Sequence, residues 1–245
     1  MSKSNKNVES YRRTFKKYGM DPRALQWPSK DAAQIRYRQI VADIDFEGIT
    51  ILDVGCGFGD IIDFIAEPKK AVESDLGDEL DSDMSFSVRS KIPRSKRGEN
   101  VIKSKTKKFS YTGIDLVPEF IEVSKKKYPS GPVAKYKFIV GDYFGNPPKE
   151  EFDIVLTYGT LNANTSSPLN YRKNAIKIMF DHAKDAVSFN MAGGRPQPKN
   201  KKGSRVFYAD SLKILSFCFK LTPRLIFRHH YRSNDFTIIL FKTPR

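Results

Sequence analysis

Between residues 49 and 190, short β-branched and aromatic runs alternate with longer segments in which apolar positions recur every three to four residues. The runs at 49–54, 111–115, 136–140, 152–157 and 186–190 predict strands. Pro118, at a first-turn position, opens a helix through Phe120, Ile121, Ser124 and Tyr128. A second helix, 171–183, carries Ala175, Ile176, Met179, Phe180 and Ala183 at helical spacing. Strands separated by helices indicate a parallel sheet with helices packed on its faces. Past residue 209 the pattern changes to a helix at 210–219 and two β-rich runs, 224–231 and 236–242, linked only by Arg232-Ser-Asn-Asp. So short a link fits a hairpin rather than a crossover. The expected fold is α/β, with a mostly parallel sheet that ends in a C-terminal antiparallel hairpin.

Two stretches depart from this pattern. Residues 1–46 hold a basic helix at 8–18, a turn at Met20-Asp-Pro, Trp27, and a second helix from Asp31 with Ile35, Ile40, Val41 and Ile44 at helical spacing. They read as an N-terminal helical cap on a domain spanning 47–245. Residues 67–108 are polar and divided by sign: Glu73 to Asp83 supply acids, and Arg89 to Lys108 supply bases. Like-charge blocks without apolar periodicity predict a solvated, mobile insertion.

Composition narrows the picture. The chain has 245 residues, 43 Lys+Arg against 28 Asp+Glu, a net charge of +15 and 39% hydrophobic residues. That is one large domain, or one with additions, able to bury a core without disulfides or metal. Cys56 and Cys218 suggest no disulfide framework. The start lacks an apolar signal region and no run approaches the length of a membrane span, so a cytoplasmic protein without membrane contact is expected. The positive balance favours polyanionic or acidic partners. The oligomeric state is not encoded in these features.

The chemistry concentrates after the first strand, at Asp53-Val-Gly55-Cys-Gly57-Phe-Gly59-Asp60, followed by the helical pattern Ile61, Ile62, Phe64, Ile65. Glycines admit positive φ and a close backbone approach, and the amides of the following helix face the ligand. Asp115 closes the second strand, where a carboxylate can accept hydrogen bonds from ribose hydroxyls. With the charged insertion set aside, it follows Gly55 by about the 20 residues of a nucleotide-binding βαβ unit. Asp142, after the third strand, is placed to receive an adenine amino group. Each acid also reads as a capping carboxylate; together they point to an adenosyl ligand.

Ile51-Leu-Asp-Val-Gly-Cys-Gly-Phe-Gly resembles the first motif of class I S-adenosylmethionine-dependent methyltransferases. Tyr111-Thr-Gly-Ile-Asp-Leu-Val-Pro, Val140-Gly-Asp-Tyr and Phe152-Asp-Ile-Val-Leu-Thr-Tyr-Gly are similar to the next three motifs, in order. The resemblance implies a seven-stranded Rossmann-like sheet with helices on both faces, and S-adenosylmethionine as cofactor with S-adenosylhomocysteine as product. It implies that Gly55, Gly57 and Gly59 line the methionine part, with Asp53 supporting the loop. Asp115 and Leu116 would hold the ribose side, Asp142 and Tyr143 would border the adenine, and Tyr158-Gly159 would face the methyl group. The stretch Tyr18 to Trp27, followed by Gln34-Ile-Arg-Tyr, also resembles the lead-in of stand-alone bacterial members. There Arg36 or Gln34 meets the cofactor carboxylate, or else lies on a solvated helix face.

Methyl transfer from a sulfonium is an in-line displacement that asks mainly for orientation, and no metal is required. The fourth motif continues Thr157-Tyr-Gly-Thr-Leu-Asn162, without the Asn/Asp-Pro-Pro-aromatic sequence of amino-methylating nucleic-acid enzymes, and neither cysteine lies beyond its tip. Tyr158 and Asn162 are the catalytic candidates, and Asn190 and Arg195 the substrate candidates, because ligands bind outside the carboxyl ends of the strands. His182 reads as structural. His229 and His230, adjacent in a strand, must point to opposite faces. The loop 193–205, rich in cations and free of acids, reads either as a lid or phosphate contact or as a flexible surface loop. Three functions follow: methyl transfer to O, N or C of a small or modular substrate, methylation of RNA held by the basic segments, and a non-catalytic binding module on this fold.

Overall fold

The computed structural model describes residues 3–66, 108–131 and 135–242. Seven strands among them, β1 (Thr50–Val54), β2 (Ser110–Asp115), β3 (Lys135–Val140), β4 (Phe152–Thr157), β5 (Ala183–Ala192), β6 (Leu225–Arg228) and β7 (Asp235–Phe241), form one sheet. Its order is β3-β2-β1-β4-β5-β7-β6. The first five strands are mutually parallel, and β7 runs antiparallel to both β5 and β6. The insertion expected at 67–108 lies, apart from Lys108, outside the described residues.

The central parallel strands β1 and β4 are buried on both faces, which is why their sequences are mostly apolar. In β1, Ile51 packs into one core and Leu52 into the other, both fully buried. In β4, Ile154 and Leu156 join the first core, while Val155 joins the second. The first core is closed by α2 (Lys30–Val41), α3 (Ile61–Ala66) and α4 (Pro118–Lys127). The second is closed by α5 (Pro168–His182) and α6 (Ser211–Cys218). Burying each such side chain contributes about 1.5–3 kcal/mol. No helix crosses from β3 to β4; residues 141–151 make that connection as a turn, and its Tyr143 and Phe144 pack on the α5 side.

A third apolar cluster holds the cap. The helix α1 (Lys3–Tyr18) lays Val8, Tyr11, Phe15 and Tyr18 on Phe58, Val117 and Phe120, together with Ala24 from a short 3-10 turn at Pro22–Leu25. Phe15, Phe58 and Phe120 meet with ring centroids 5.1–5.9 Å apart. Thr14 Oγ1 donates to the Ala24 carbonyl at 2.7 Å, fixing the turn under the helix.

Two boundaries differ from the sequence expectation. Ala183 belongs to β5, not to the preceding helix: its ψ of 144° ends α5, and it pairs with Phe152. The hairpin strand expected at 224–231 stops at Arg228. His229 and His230 therefore leave the sheet, and the expectation that they alternate across it does not hold. The cause is the His229 ring, whose Nδ1 meets the Asp235 carbonyl at 2.7 Å while Nε2 accepts the Arg195 amide at 2.9 Å. That ring bends the connection into a loop and ties it to the segment after β5.

Candidate functional site

The glycine loop starts where β1 ends. Gly55 adopts φ 75°, and a Cβ there would lie 2.1 Å from Thr160 Oγ1, so glycine is required by both conformation and space. Thr160 Oγ1 and Thr157 Oγ1 both donate to the Val54 carbonyl, at 3.2 and 2.6 Å, which draws the tip of β4 against the loop. Gly57 abuts Leu25 of the cap, whereas Gly59 faces Phe138 and Tyr128. Gly59 thus serves the packing between loop and sheet.

Asp115 is held against this loop. Its Oδ2 accepts the Gly57 amide and its Oδ1 the Val117 amide, both at 2.9 Å. Burial pushes its pKa up, and these two bonds oppose that shift. Leu116 beside it is 38% exposed, an apolar surface at a strand tip. The Gly141 amide donates to the Asp115 carbonyl at 2.9 Å, which brings the end of β3 alongside. There Asp142 is exposed and accepts the Gly145 amide, whereas Tyr143 is buried, with its hydroxyl 3.0 Å from His182 Nδ1. The tyrosine is therefore committed to the core, where the resemblance had implied that it borders an adenine.

Asp53 lies beneath the loop, fully buried. Its Oδ2 accepts Tyr111 Oη at 2.6 Å and Tyr158 Oη at 3.2 Å, while Oδ1 has no hydrogen-bond partner among the described residues. Burial pushes this carboxyl up to about 7. Tyr158, expected to face a methyl group, instead reaches under the loop to Asp53 and the Cys56 carbonyl, with Tyr37 edge-on at 4.8 Å. Just past the end of β4, Tyr158 joins Ile154 and Leu156 in the same core cluster.

The remaining candidates gather at the tips of β4 and β5. Gly159 has φ 76°, and Trp27 of the cap covers it so closely that a Cβ would lie 2.8 Å from the indole Cη2. Asn162 Oδ1 accepts the Ala192 amide at 2.7 Å, fastening β4's tip to the end of β5. Asn190 is fully buried and donates to Tyr231 Oη at 2.8 Å, while its Oδ1 has no partner among the described residues. Arg195 is exposed and paired with Asp210 at 2.8 Å. Arg36 is buried in an ion pair with Asp235 and stacked on Trp27 at 4.8 Å, so its guanidinium is committed to the protein rather than to a ligand carboxylate. Gln34 lines a separate cavity of about 610 Å³ between α2, α3 and Lys127.

Two residues at the crevice were missed. Tyr11 reaches from α1 toward Asp115; burial first, then that carboxylate, pushes its phenol up to about 12. Tyr171 of α5 lies close to the same hydroxyl. The sequence indicated only a basic helix over 8–18, and nothing local showed what Tyr11 would cover. Among the described residues no cluster of metal-ligating side chains occurs, and no helix is long and apolar enough to cross a membrane.

No family model matches the sequence, and no curated protein matches it. Solved structures do match the fold along nearly its whole length. Magnesium protoporphyrin IX methyltransferase from Synechocystis PCC 6803, solved with bound S-adenosylhomocysteine, superposes with a TM-score of 0.56 at 12% identity, over 98% of this chain and 95% of that one. An S-adenosylmethionine-dependent methyltransferase from Leishmania major gives 0.60 at 11% identity, over 98% and 82%. The complex of DhpI with S-adenosylhomocysteine gives 0.57 at 10%, over 96% and 95%. At such identities the likeness is one of architecture: this chain has the fold of the class I S-adenosylmethionine-dependent methyltransferases.

Proposed function

We propose that the protein is an S-adenosylmethionine-dependent methyltransferase. The observation that carries this reading is the pairing of the Gly55–Gly59 loop with Asp115, whose two oxygens are fixed by the Gly57 and Val117 amides. Each oxygen keeps acceptor capacity for a ribose hydroxyl. Leu116 offers an apolar wall, and the unpartnered buried oxygen of Asp53 suits a cationic ligand. These residues fit the cofactor.

When bound, S-adenosylmethionine supplies an electrophilic methyl group on a sulfonium. Transfer then requires an acceptor atom aligned about 3–3.5 Å from that carbon, with water excluded. The tips of β4 and β5, under Trp27, are the place for an O, N or C acceptor. Tyr158 and Asn162 fit positioning roles, because their side chains are committed to Asp53 and to the Ala192 amide.

Calorimetry with S-adenosylhomocysteine tests the proposal. Binding is expected for the wild-type chain and should weaken at least 100-fold in Asp115→Ala with unchanged circular dichroism. Absence of wild-type binding at millimolar ligand overturns it.

A further inference from the structure

Ser10 on α1 and Arg205 at the end of the 193–205 loop are 195 positions apart, yet Arg205 Nη1 donates to Ser10 Oγ at 2.7 Å. Two basic segments that are remote in sequence thus form one rim beside the crevice. The loop half is fixed, not flexible. Asn200 clasps Tyr208 through both side-chain atoms, donating to its carbonyl at 3.0 Å and accepting its amide at 2.7 Å. Asn164 Nδ2 donates to the Ser204 carbonyl and its amide to the Arg205 carbonyl, at 2.9 and 2.8 Å. This backbone holds Lys199, Lys201, Lys202 and Arg205 outward, all exposed. On α1, Arg13 and Lys17 are exposed and lie on the same side of the helix as Ser10, one or two turns apart. Glu9 is the single acid of that helix. Among the described residues, no acid forms an ion pair with Lys199, Lys201, Lys202 or Arg13.

We propose that α1 and the 199–205 segment, joined through Ser10 and Arg205, form a docking surface for the phosphate backbone of RNA. A single anion would need convergent donors, whereas these cations are divided between the 199–205 segment and α1, where Arg13 and Lys17 stand about 6 Å apart along the axis at 1.5 Å per residue. Six cations on two joined segments can meet several phosphates of one strand. A protein partner would call for an apolar centre and few lysines. Here the rim is lysine-rich, and its apolar member is Val206, 38% exposed. Strongly positive, polar surfaces are the mark of nucleic-acid interfaces. The surface uses none of the loop or carboxylate residues assigned to the cofactor. It holds independently of the proposed function, and it moves the partner from a small molecule to a strand.

The test is fluorescence anisotropy of the full chain with labelled 30-nucleotide oligouridylate across a series of KCl concentrations. Each neutralised phosphate contributes about −0.7 to the log–log salt slope for a single strand. The triple variant K199E/K201E/K202E is expected to lose about two units of that slope and at least 10-fold in affinity. Arg13→Glu is expected to weaken binding several-fold. Both should keep the wild-type unfolding midpoint and S-adenosylhomocysteine affinity. No binding by the wild-type chain, a flat salt dependence, or unchanged affinity in both variants overturns the proposal. Equal affinity for polyglutamate overturns it in favour of an acidic protein. Loss of cofactor binding with RNA binding retained would instead strike the proposed function alone.

Discussion

Tyr111 donates a 2.6 Å hydrogen bond to one oxygen of Asp53, and the other oxygen of that buried carboxylate has no partner among the described residues. With its pKa pushed up to about 7 by burial, the folded protein keeps a proton there that the unfolded chain, near the ordinary value of about 3.9, has already released. Stability from this site is therefore fully present below pH 4 and is lost as pH rises toward 7, by up to about 1.4 kcal/mol per unit. Urea unfolding at pH 5 and pH 7 should show a smaller drop for Asp53→Asn than for the wild-type chain.

The same carboxyl would link binding of the proposed cofactor to protons. A cationic ligand favours the ionised form and lowers the pKa, so binding near pH 7 should release a proton. Calorimetry with S-adenosylmethionine in buffers of different ionisation enthalpy should detect that release in the wild-type chain and lose it in Asp53→Asn.

Gly55 and Thr160 are in contact because the β4 tip is drawn onto the glycine loop. Gly55→Ala would place a methyl group 2.1 Å from Thr160 Oγ1 at a positive φ. A destabilisation of about 2–4 kcal/mol and loss of S-adenosylhomocysteine binding are expected. Adding Thr160→Ala should recover part of the stability, because the clash ends while the strain of φ remains. Equal unfolding midpoints for the single and double variants would contradict this account.

Arg36 and Asp235 fasten α2 to the start of β7 through a buried ion pair, with Arg36 also stacked on Trp27. Removing one partner leaves the other charged and desolvated. Asp235→Ala should therefore cost about 3–5 kcal/mol in chemical denaturation. Arg36→Met/Asp235→Leu, which removes both charges, should cost less than Asp235→Ala alone.

Asn200 is predicted to hold the basic loop. Asn200→Ala should raise hydrogen exchange at the Tyr208 amide and weaken oligouridylate binding several-fold, with the unfolding free energy changed by only about 1–2 kcal/mol.

How much of this was legible depends on sequence distance. The Asp53–Gly59 loop and Asp115 were readable because a strand, a turn and a helix fix them locally. Tyr158 was not, because its motif position pointed to the methyl group, whereas its ring joins the core cluster of Ile154 and Leu156 and its hydroxyl meets Asp53. Arg36 was not readable, because its partner Asp235 lies 199 positions away and nothing near either residue marks the pair. The early end of β6 was hidden for a similar reason. His229 follows a β-rich run, but its ring is satisfied by the Asp235 carbonyl at the start of β7 and by the Arg195 amide beyond β5.

The strand order also governs how the protein is made. The last strand in sequence, β7, sits inside the sheet, between β5 and β6. On the ribosome, five parallel strands can associate while Val187, Phe189 and Met191 still border an unpaired edge that awaits Phe236 to Leu240. Exposed apolar edges of that kind recruit other chains. Translation that stalls before residue 235 would therefore yield a nascent chain that carries the Gly55–Gly59 loop and Asp115 but has a side open to aggregation.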